Sequence, residues 1–177
     1  EASGLIYKIT NDSLRSKILD LYQDTYERYA YLLDYDLTHI QKFDDISYSW
    51  WDPEGPFKPL HMLNPIRTNF IKRSVNLENK TLIDVGCGGG LLCENLASEN
   101  TEIKGIDMSN ESIEIAETHQ TLKNLNINYQ AISLEKLIEE SETRYDVLTC
   151  LELIEHVPNP EKLINDCIKI TKSNYIK

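Results

Sequence analysis

This sequence lacks several features that would each assign it to a particular class of protein. No apolar run in its 177 residues approaches the roughly 20 residues that a membrane-spanning helix needs. Basic residues are also scarce, since 18 Lys and Arg stand against 29 Asp and Glu and the net charge is −11. We therefore expect no nucleic-acid partner, because binding phosphates requires a basic surface.

Cysteine is the next scarce residue, with four in the chain. Cys87, Cys93, Cys150 and Cys167 include no C-x-x-C pair. We expect these thiols to stay reduced and to hold no zinc. Otherwise the composition, 41% hydrophobic and 27% charged, is typical of a globular chain whose length suits one domain with a core.

Glycine is rare as well, but four of the seven glycines stand together between Gly86 and Gly90. The apolar run 82–85 leads into them and a helical pattern follows, so the stretch predicts a strand, a tight turn and a helix. Glycine suits such a turn because, without a Cβ, it tolerates positive φ and lets a ligand approach the backbone closely. The alternative is a glycine-rich turn that binds nothing.

The spacing of these glycines distinguishes two kinds of cofactor. A dinucleotide-binding G-x-G-x-x-G would place its third glycine at position 91, which is Leu91. The observed D-x-G-x-G-x-G, from Asp84 to Gly90, resembles the first motif of the S-adenosylmethionine-dependent methyltransferases. That ligand carries an amino group and a sulfonium but no pyrophosphate, so the negative Asp84 suits it. Asp107 ends the next apolar run about 20 residues after the first glycine, where a carboxylate binds ribose hydroxyls in doubly wound folds.

Strand and helix patterns alternate from residue 80 onward. Strands are predicted at 81–86, 102–107, 127–132 and 145–150. The first predicted helix spans 90–99, and the second follows an Asn110 cap. The apolar side of the second helix is predicted to carry Ile113, Ala116, Leu122 and Leu125. A third, short helix is predicted around Leu134 and Leu137, and a fourth begins at Asn159-Pro160. This alternation predicts an α/β fold, a doubly wound, mostly parallel sheet of Rossmann-like type with right-handed crossovers.

Two further regions precede this alternating part. Residues 1–43 are predicted as an N-terminal helical extension whose tyrosine-rich stripe docks on the rest of the chain, with a lipid-facing role as the alternative. Residues 44–177 are predicted as the cofactor-binding domain. Within it, residues 48–61 hold both tryptophans and three prolines, so we expect an ordered loop that is either a hydrophobic clamp or a lid over the ligand cleft. A helix should begin near Asn64, with Pro65 in its first turn, and reach Val75.

The end of the fourth predicted strand carries a cluster of titratable side chains. Glu152, Glu155 and His156 stand at i, i+3 and i+4, so one helical turn would place them on one face. Two carboxylates and an imidazole suit either a hard divalent ion or acid–base chemistry. His61, in the proline-rich loop, is a second and weaker candidate base.

Together these segments resemble the ubiquinone-biosynthesis O-methyltransferases, which methylate hydroxyls of polyprenylated catechols and hydroquinones. The resemblance covers about Phe43 to Lys172 and is carried by Trp50-Trp51-Asp52, Phe57-Lys58-Pro59-Leu60-His61, Asn64-Pro65 with Arg67, Asp84 to Gly90, and Glu152 with Glu155-His156-Val157. It implies S-adenosyl-L-methionine contacts at Arg67, Gly86, Asp107 and Leu151, with adenine near Ser133 and Leu134; Asp84 and Gly88 complete the predicted set. It also implies a magnesium ion at Glu152, Glu155 and His156, with Glu155, His156 or His61 as base.

The resemblance carries expectations about partners and location too. Peripheral membrane contact and a quinone-biosynthesis complex are expected of the full-length enzyme, on the matrix side of the mitochondrial inner membrane or, alternatively, in the bacterial cytoplasm. The family continues past the last helix, so 177 residues alone are expected to bind cofactor weakly and to catalyse poorly. The alternative function is a truncated or inactive S-adenosylmethionine-binding module. Leu91 disfavours a nicotinamide-dependent oxidoreductase, and the acidic charge disfavours a nucleic-acid methyltransferase.

Overall fold

A computed structural model describes residues 49–97 and 100–172. The predicted N-terminal extension, 1–43, lies outside the described residues and stays a prediction, as does the first part of the domain predicted at 44–177. The strands are β1 (Lys80–Val85), β2 (Thr101–Asp107), β3 (Asn128–Ala131) and β4 (Val147–Thr149). The helices are α1 (Lys58–Ser74), α2 (Leu91–Leu96), α3 (Asn110–Leu122), α4 (Leu134–Glu140) and α5 (Pro160–Ile170), with a 3₁₀ turn at Ile154–His156.

All the described strands are parallel and stand in the order β3-β2-β1-β4. The predicted α/β fold with a parallel sheet is therefore confirmed. The chain first builds outward from β1 to β3 and then returns to place β4 on the other side of β1. Ligands of open parallel sheets bind outside the carboxyl ends of the strands where the order reverses, which here lies between β1 and β4.

Helices cover the sheet on both faces, which explains why β1 is apolar on both sides. Leu82 and Ile83 are each 0% exposed, although their side chains point to opposite faces. Leu82 packs in a cluster with α1, α2 and α3, and Ile83 packs in a second cluster with α4 and α5. Burial of both faces is the usual state of a parallel sheet.

The predicted start of the first helix is wrong. Helix α1 begins at Lys58 rather than near Asn64, with a proline already in its first turn, and Pro65 lies inside it. Pro65 is exposed, and the buried side chains of Asn64, Thr68 and Ile71 recur at helical spacing on the other face. From the sequence alone, Pro65 indicates the first turn of a helix. The helix nevertheless runs through Pro65, because packing of its buried face stabilises it on both sides of that residue.

Smaller differences affect the other elements. Ser109, not Asn110, caps α3, because its Oγ accepts the Ser112 N–H at 3.0 Å. Leu122 is 77% exposed, so it does not belong to the apolar side of α3 as predicted. The predicted start of α5 is confirmed, with Asn159 as its cap. Among the described helices, none combines the length and the hydropathy needed to cross a bilayer.

Candidate cofactor-binding and active site

A cavity of about 730 Å³ opens at the carboxyl ends of β1, β2 and β4. Every residue predicted to bind the cofactor lines it: Arg67, Asp84, Gly86, Gly88, Asp107, Ser133, Leu134 and Leu151. They come together because parallel strands deliver their carboxyl ends to one edge of the sheet. The volume lies within the range of about 300–1,000 Å³ that is usual for small-molecule sites.

The glycine turn at the centre of the cavity adopts the conformation that its sequence requires. Gly86, Gly88 and Gly90 have φ values of 75°, 50° and 83°, in the left-handed region. Their neighbour Trp50 adds a second requirement, since a Cβ on Gly88 or on Gly89 would lie 2.5 Å from its indole. The glycines therefore admit a tryptophan of the same chain against the turn.

Asp107 is held rigidly in the cavity wall. One carboxylate oxygen accepts the Gly88 N–H at 2.9 Å and the other accepts the Ser109 N–H at 3.0 Å. These bonds tie the end of β2 to the glycine turn and to the start of α3. The carboxylate is thereby pre-oriented for a ligand that brings hydroxyl donors.

Asp84 is a buried acid that links three elements. Its carboxylate accepts the Thr149 hydroxyl at 2.6 Å across the β1–β4 pairing, and the Cys93 thiol of α2 at 3.5 Å. Burial raises the pKa of Asp84 from 3.8 to about 6, although Thr149 acts in the opposite direction. A cation placed in the cavity would favour the charged carboxylate.

The predicted metal cluster does not assemble on one helical turn. Only Ile154–His156 form a 3₁₀ turn, whereas Glu152 precedes it with φ 52° and accepts a hydrogen bond from the Arg67 guanidinium. Within residues 49–97 and 100–172, no group of three or more His, Cys, Asp or Glu side chains could hold a metal. The left-handed backbone at Glu152 and its ion pair with Arg67 account for this difference.

Of the three predicted bases, only His156 lines the cavity. Glu155 is not among the lining residues. His61 lies on α1 outside the lining, and its Nε2 is 2.8 Å from the Trp50 carbonyl oxygen, to which it donates. His61 therefore anchors the backbone of the tryptophan loop rather than facing the cavity.

The proline-rich loop packs against the rest of the domain and also lines the cavity. Trp50 is buried, stacks on Phe57 with ring centroids 3.8 Å apart, and donates its Nε1 hydrogen to Ser112 Oγ at 3.2 Å. Trp50, Phe57 and Pro56 also line the cavity. From the sequence we expected either a clamp or a lid in this loop, and none of these side chains was assigned to the site. The two tryptophans and a phenylalanine within one short loop could have indicated them. Leu153, beside Gly86, was also missed and had no local signal.

A parallel sheet of this order, with a glycine turn after β1 and a fixed carboxylate after β2, is the arrangement with which doubly wound α/β proteins bind nucleoside-containing ligands at the switch point. Residues 76–176 match a family described as "Methyltransferase domain". The chain belongs to this methyltransferase family.

The chain is also similar to curated proteins and to a solved structure. It is 43% identical over 133 residues to a ubiquinone biosynthesis O-methyltransferase of Burkholderia vietnamiensis, which covers 75% of this chain and 57% of that protein. A protein of the same name from Coxiella burnetii is 43% identical over 137 residues, covering 77% and 58%. The chain thus spans less than two thirds of the length of these relatives. Their names confirm the resemblance to the ubiquinone-biosynthesis O-methyltransferases that the sequence motifs indicated. The structure of a putative S-adenosyl-L-methionine-dependent methyltransferase from Methanococcus maripaludis, 23% identical, matches with a TM-score of 0.59 over 79% of this chain and 61% of that one, which supports the fold.

Proposed function

We propose that this chain carries the cofactor site of an S-adenosylmethionine-dependent O-methyltransferase of ubiquinone biosynthesis. Its substrate would be a polyprenylated catechol or hydroquinone. One observation carries the cofactor assignment: all the residues predicted to contact the cofactor line a single cavity at the switch point. The substrate class is supported by the 43% identity to the named bacterial relatives.

The cavity residues fit the chemical groups of this cofactor. Asp107 would accept the ribose hydroxyls, because its carboxylate is already oriented by Gly88 and Ser109. Arg67 would bind the methionine carboxylate, for which its planar guanidinium is suited. This requires Arg67 to exchange its present partner, Glu152, for the ligand. Asp84 would stabilise the positive amino group.

The adenine would lie against the start of α4. Leu134 is buried and lines the cavity, so it offers apolar surface to a flat ring. Ser133 is engaged as the cap of α4, accepting the Lys136 N–H at 3.2 Å, so it contributes shape and backbone groups. Gly86 and Leu151, which lie at the ends of β1 and β4, complete the proposed contacts.

When bound, S-adenosylmethionine supplies a methyl group on a positively charged sulfur. A phenol with a pKa of about 10 is a poor nucleophile until it loses its proton. His156 would accept that proton, since it is the histidine of the described chain that lines the cavity. Trp50, Phe57 and Leu153 would exclude water and hold the acceptor ring in place.

Magnesium does not fit this arrangement of the predicted ligands. Glu152 pairs with Arg67, Glu155 lies outside the cavity lining, and the three side chains do not form a group that could hold a metal. Calorimetry with MgCl₂, with and without S-adenosylhomocysteine, would detect a site that forms only with the ligand.

The compared relatives are bacterial, which favours the bacterial cytoplasm over the mitochondrial inner membrane as the proposed location. Peripheral membrane contact and a biosynthetic complex remain part of the proposal for a full-length enzyme. Both can be measured by vesicle sedimentation and by co-purification from cells.

The decisive test is binding of S-adenosylhomocysteine measured by calorimetry. Asp107→Asn preserves shape, but its amide oxygen can accept from one of the two backbone N–H groups while its NH2 group opposes the other. It should weaken binding by about 10- to 100-fold, as expected for lost hydrogen bonds to a charged group. Glu117→Gln, which removes the same charge from an exposed position on α3, should leave affinity within about twofold. If the unaltered chain does not bind, the proposed function is wrong. Binding without methylation of a prenylated catechol by the full-length protein would instead support the binding-module alternative.

A further inference from the structure

A cluster of three side chains lies behind the glycine turn and outside the cavity lining. Trp51 stacks on His119, with ring centroids 3.5 Å apart and planes 6° from parallel. Nδ1 of His119 lies 2.9 Å from both carboxylate oxygens of Glu94. We call Trp51, His119 and Glu94 the Trp51 latch.

The latch is anchored by a buried charge. The Glu94 side chain is only 6% exposed, and a buried carboxylate needs a partner to be stable. Burial raises the pKa of Glu94, while the hydrogen bond and charge of His119 act in the opposite direction. His119 thus joins α2 to α3.

The latch reaches the cofactor site through the backbone of the turn. Nε1 of Trp51 donates to the Gly89 carbonyl oxygen at 3.1 Å. The preceding residue, Gly88, donates its own N–H to Asp107 in the cavity wall. The Gly89 carbonyl belongs to the 89–90 peptide and the Gly88 N–H to the 87–88 peptide, so the latch acts on the carboxylate proposed to bind ribose through the short backbone of Gly88 and Gly89.

The latch also fixes the tryptophan loop. Trp51 follows Trp50, which stacks over Gly88 and Gly89 and lines the cavity. His61 contacts both tryptophans, since it donates to the Trp50 carbonyl and lies edge-on to the Trp51 ring at 6.3 Å. The loop is thus attached to α1 through His61 and to α3 through His119, which in turn contacts Glu94 of α2.

We propose that Trp51, His119 and Glu94 are positioning residues that set cofactor affinity from behind the turn. They do so by holding the Gly88–Gly89 backbone, and through it Asp107, in the arrangement that binds ligand. This inference rests on the proposed function, because the ligand is the cofactor assigned there.

The test compares S-adenosylhomocysteine binding by the 177-residue chain and two variants of Trp51. Trp51→Phe keeps a ring to stack on His119 but lacks the N–H, and loss of one hydrogen bond should weaken binding about three- to tenfold. Trp51→Leu loses both contacts and should weaken it further. Ile170→Val, on the opposite face of the sheet, is a control for loss of stability alone and should not change affinity.

A double-mutant cycle separates positioning from general loosening. If the latch acts through the turn on Asp107, Trp51→Phe should cost less than about twofold in an Asp107→Asn background. Equal losses in both backgrounds, or unchanged affinity in a folded Trp51→Phe, would refute the latch while leaving the proposed function intact. Failure of the unaltered chain to bind would refute both.

Discussion

Replacing Gly88 with alanine tests whether the glycine turn is shaped by Trp50 as well as by a ligand. The added Cβ would lie 2.5 Å from Cη2 and Cζ2 of the Trp50 indole, where ordinary contacts are 3.4–4 Å. Overpacking of this kind costs about 1–3 kcal/mol. The φ of 50° adds about 1 kcal/mol for an L-residue in the left-handed region. We expect Gly88→Ala to lower the free energy of unfolding by about 2–4 kcal/mol.

A second substitution isolates the clash from the backbone strain. Cη2 and Cζ2 belong to the six-membered ring of the indole, so Trp50→Phe removes them while keeping a ring against Phe57. The double variant Gly88→Ala/Trp50→Phe should therefore recover about 1–3 kcal/mol relative to additivity. The strain at φ 50° should remain.

Gly89 provides the matched control. A Cβ there would meet Cγ, Cβ and Cδ2 of Trp50 at 2.5, 2.7 and 2.9 Å. Phenylalanine retains equivalents of these atoms, so Trp50→Phe should not rescue Gly89→Ala. Urea unfolding followed by circular dichroism would measure all these variants. Equal rescue at Gly88 and Gly89, or none at Gly88, would refute the contact as described.

Three further predictions concern titration, cofactor binding and the thiols. Because burial raises the pKa of Asp84 to about 6, the folded state binds this proton more tightly than the unfolded chain does. The contribution of Asp84 to the free energy of unfolding should therefore fall by up to about 3 kcal/mol as the pH rises from about 4 to about 6. Asp84→Asn should remove that dependence. Urea titrations in which the variant keeps the pH profile of the unaltered chain would contradict this. Glu152→Gln should strengthen S-adenosylhomocysteine binding about two- to fivefold, because it weakens the ion pair that competes for Arg67, and calorimetry showing no gain would exclude such competition. All four cysteines are buried, so they should react with Ellman's reagent only as fast as the domain opens; rapid labelling of the native chain would be inconsistent with the packing.

The local patterns were sufficient for the fold class and for identifying which residues meet in the cavity at the ends of the strands. Apolar runs alternating with helical patterns predicted a parallel sheet, and a parallel sheet places all strand ends at one edge. Asp84, Gly86 and Asp107 could therefore be assigned to one site from their positions in the chain. Their assignment needed no knowledge of side-chain packing.

Contacts between distant segments could not be predicted in this way. Glu152 is 85 residues from its partner Arg67, and no local pattern indicates that the pair forms or that the backbone at Glu152 turns left-handed. The expectation of a helical turn carrying a metal cluster failed for that reason. The contact of His61 with the Trp50 carbonyl oxygen could not be predicted either, because it depends on how the loop folds back onto α1.

The amino-acid order alone determined where strands end, which turn requires glycine and which acids follow the strands, because these depend on neighbouring residues and on one topology rule. Tertiary structure decided which side chains meet across the sheet. Thr149 reaches Asp84 only because β4 returns to lie beside β1, and Trp50 covers Gly88 only because the loop packs onto the turn. Such contacts follow from strand order and chain packing, which are properties of the whole fold.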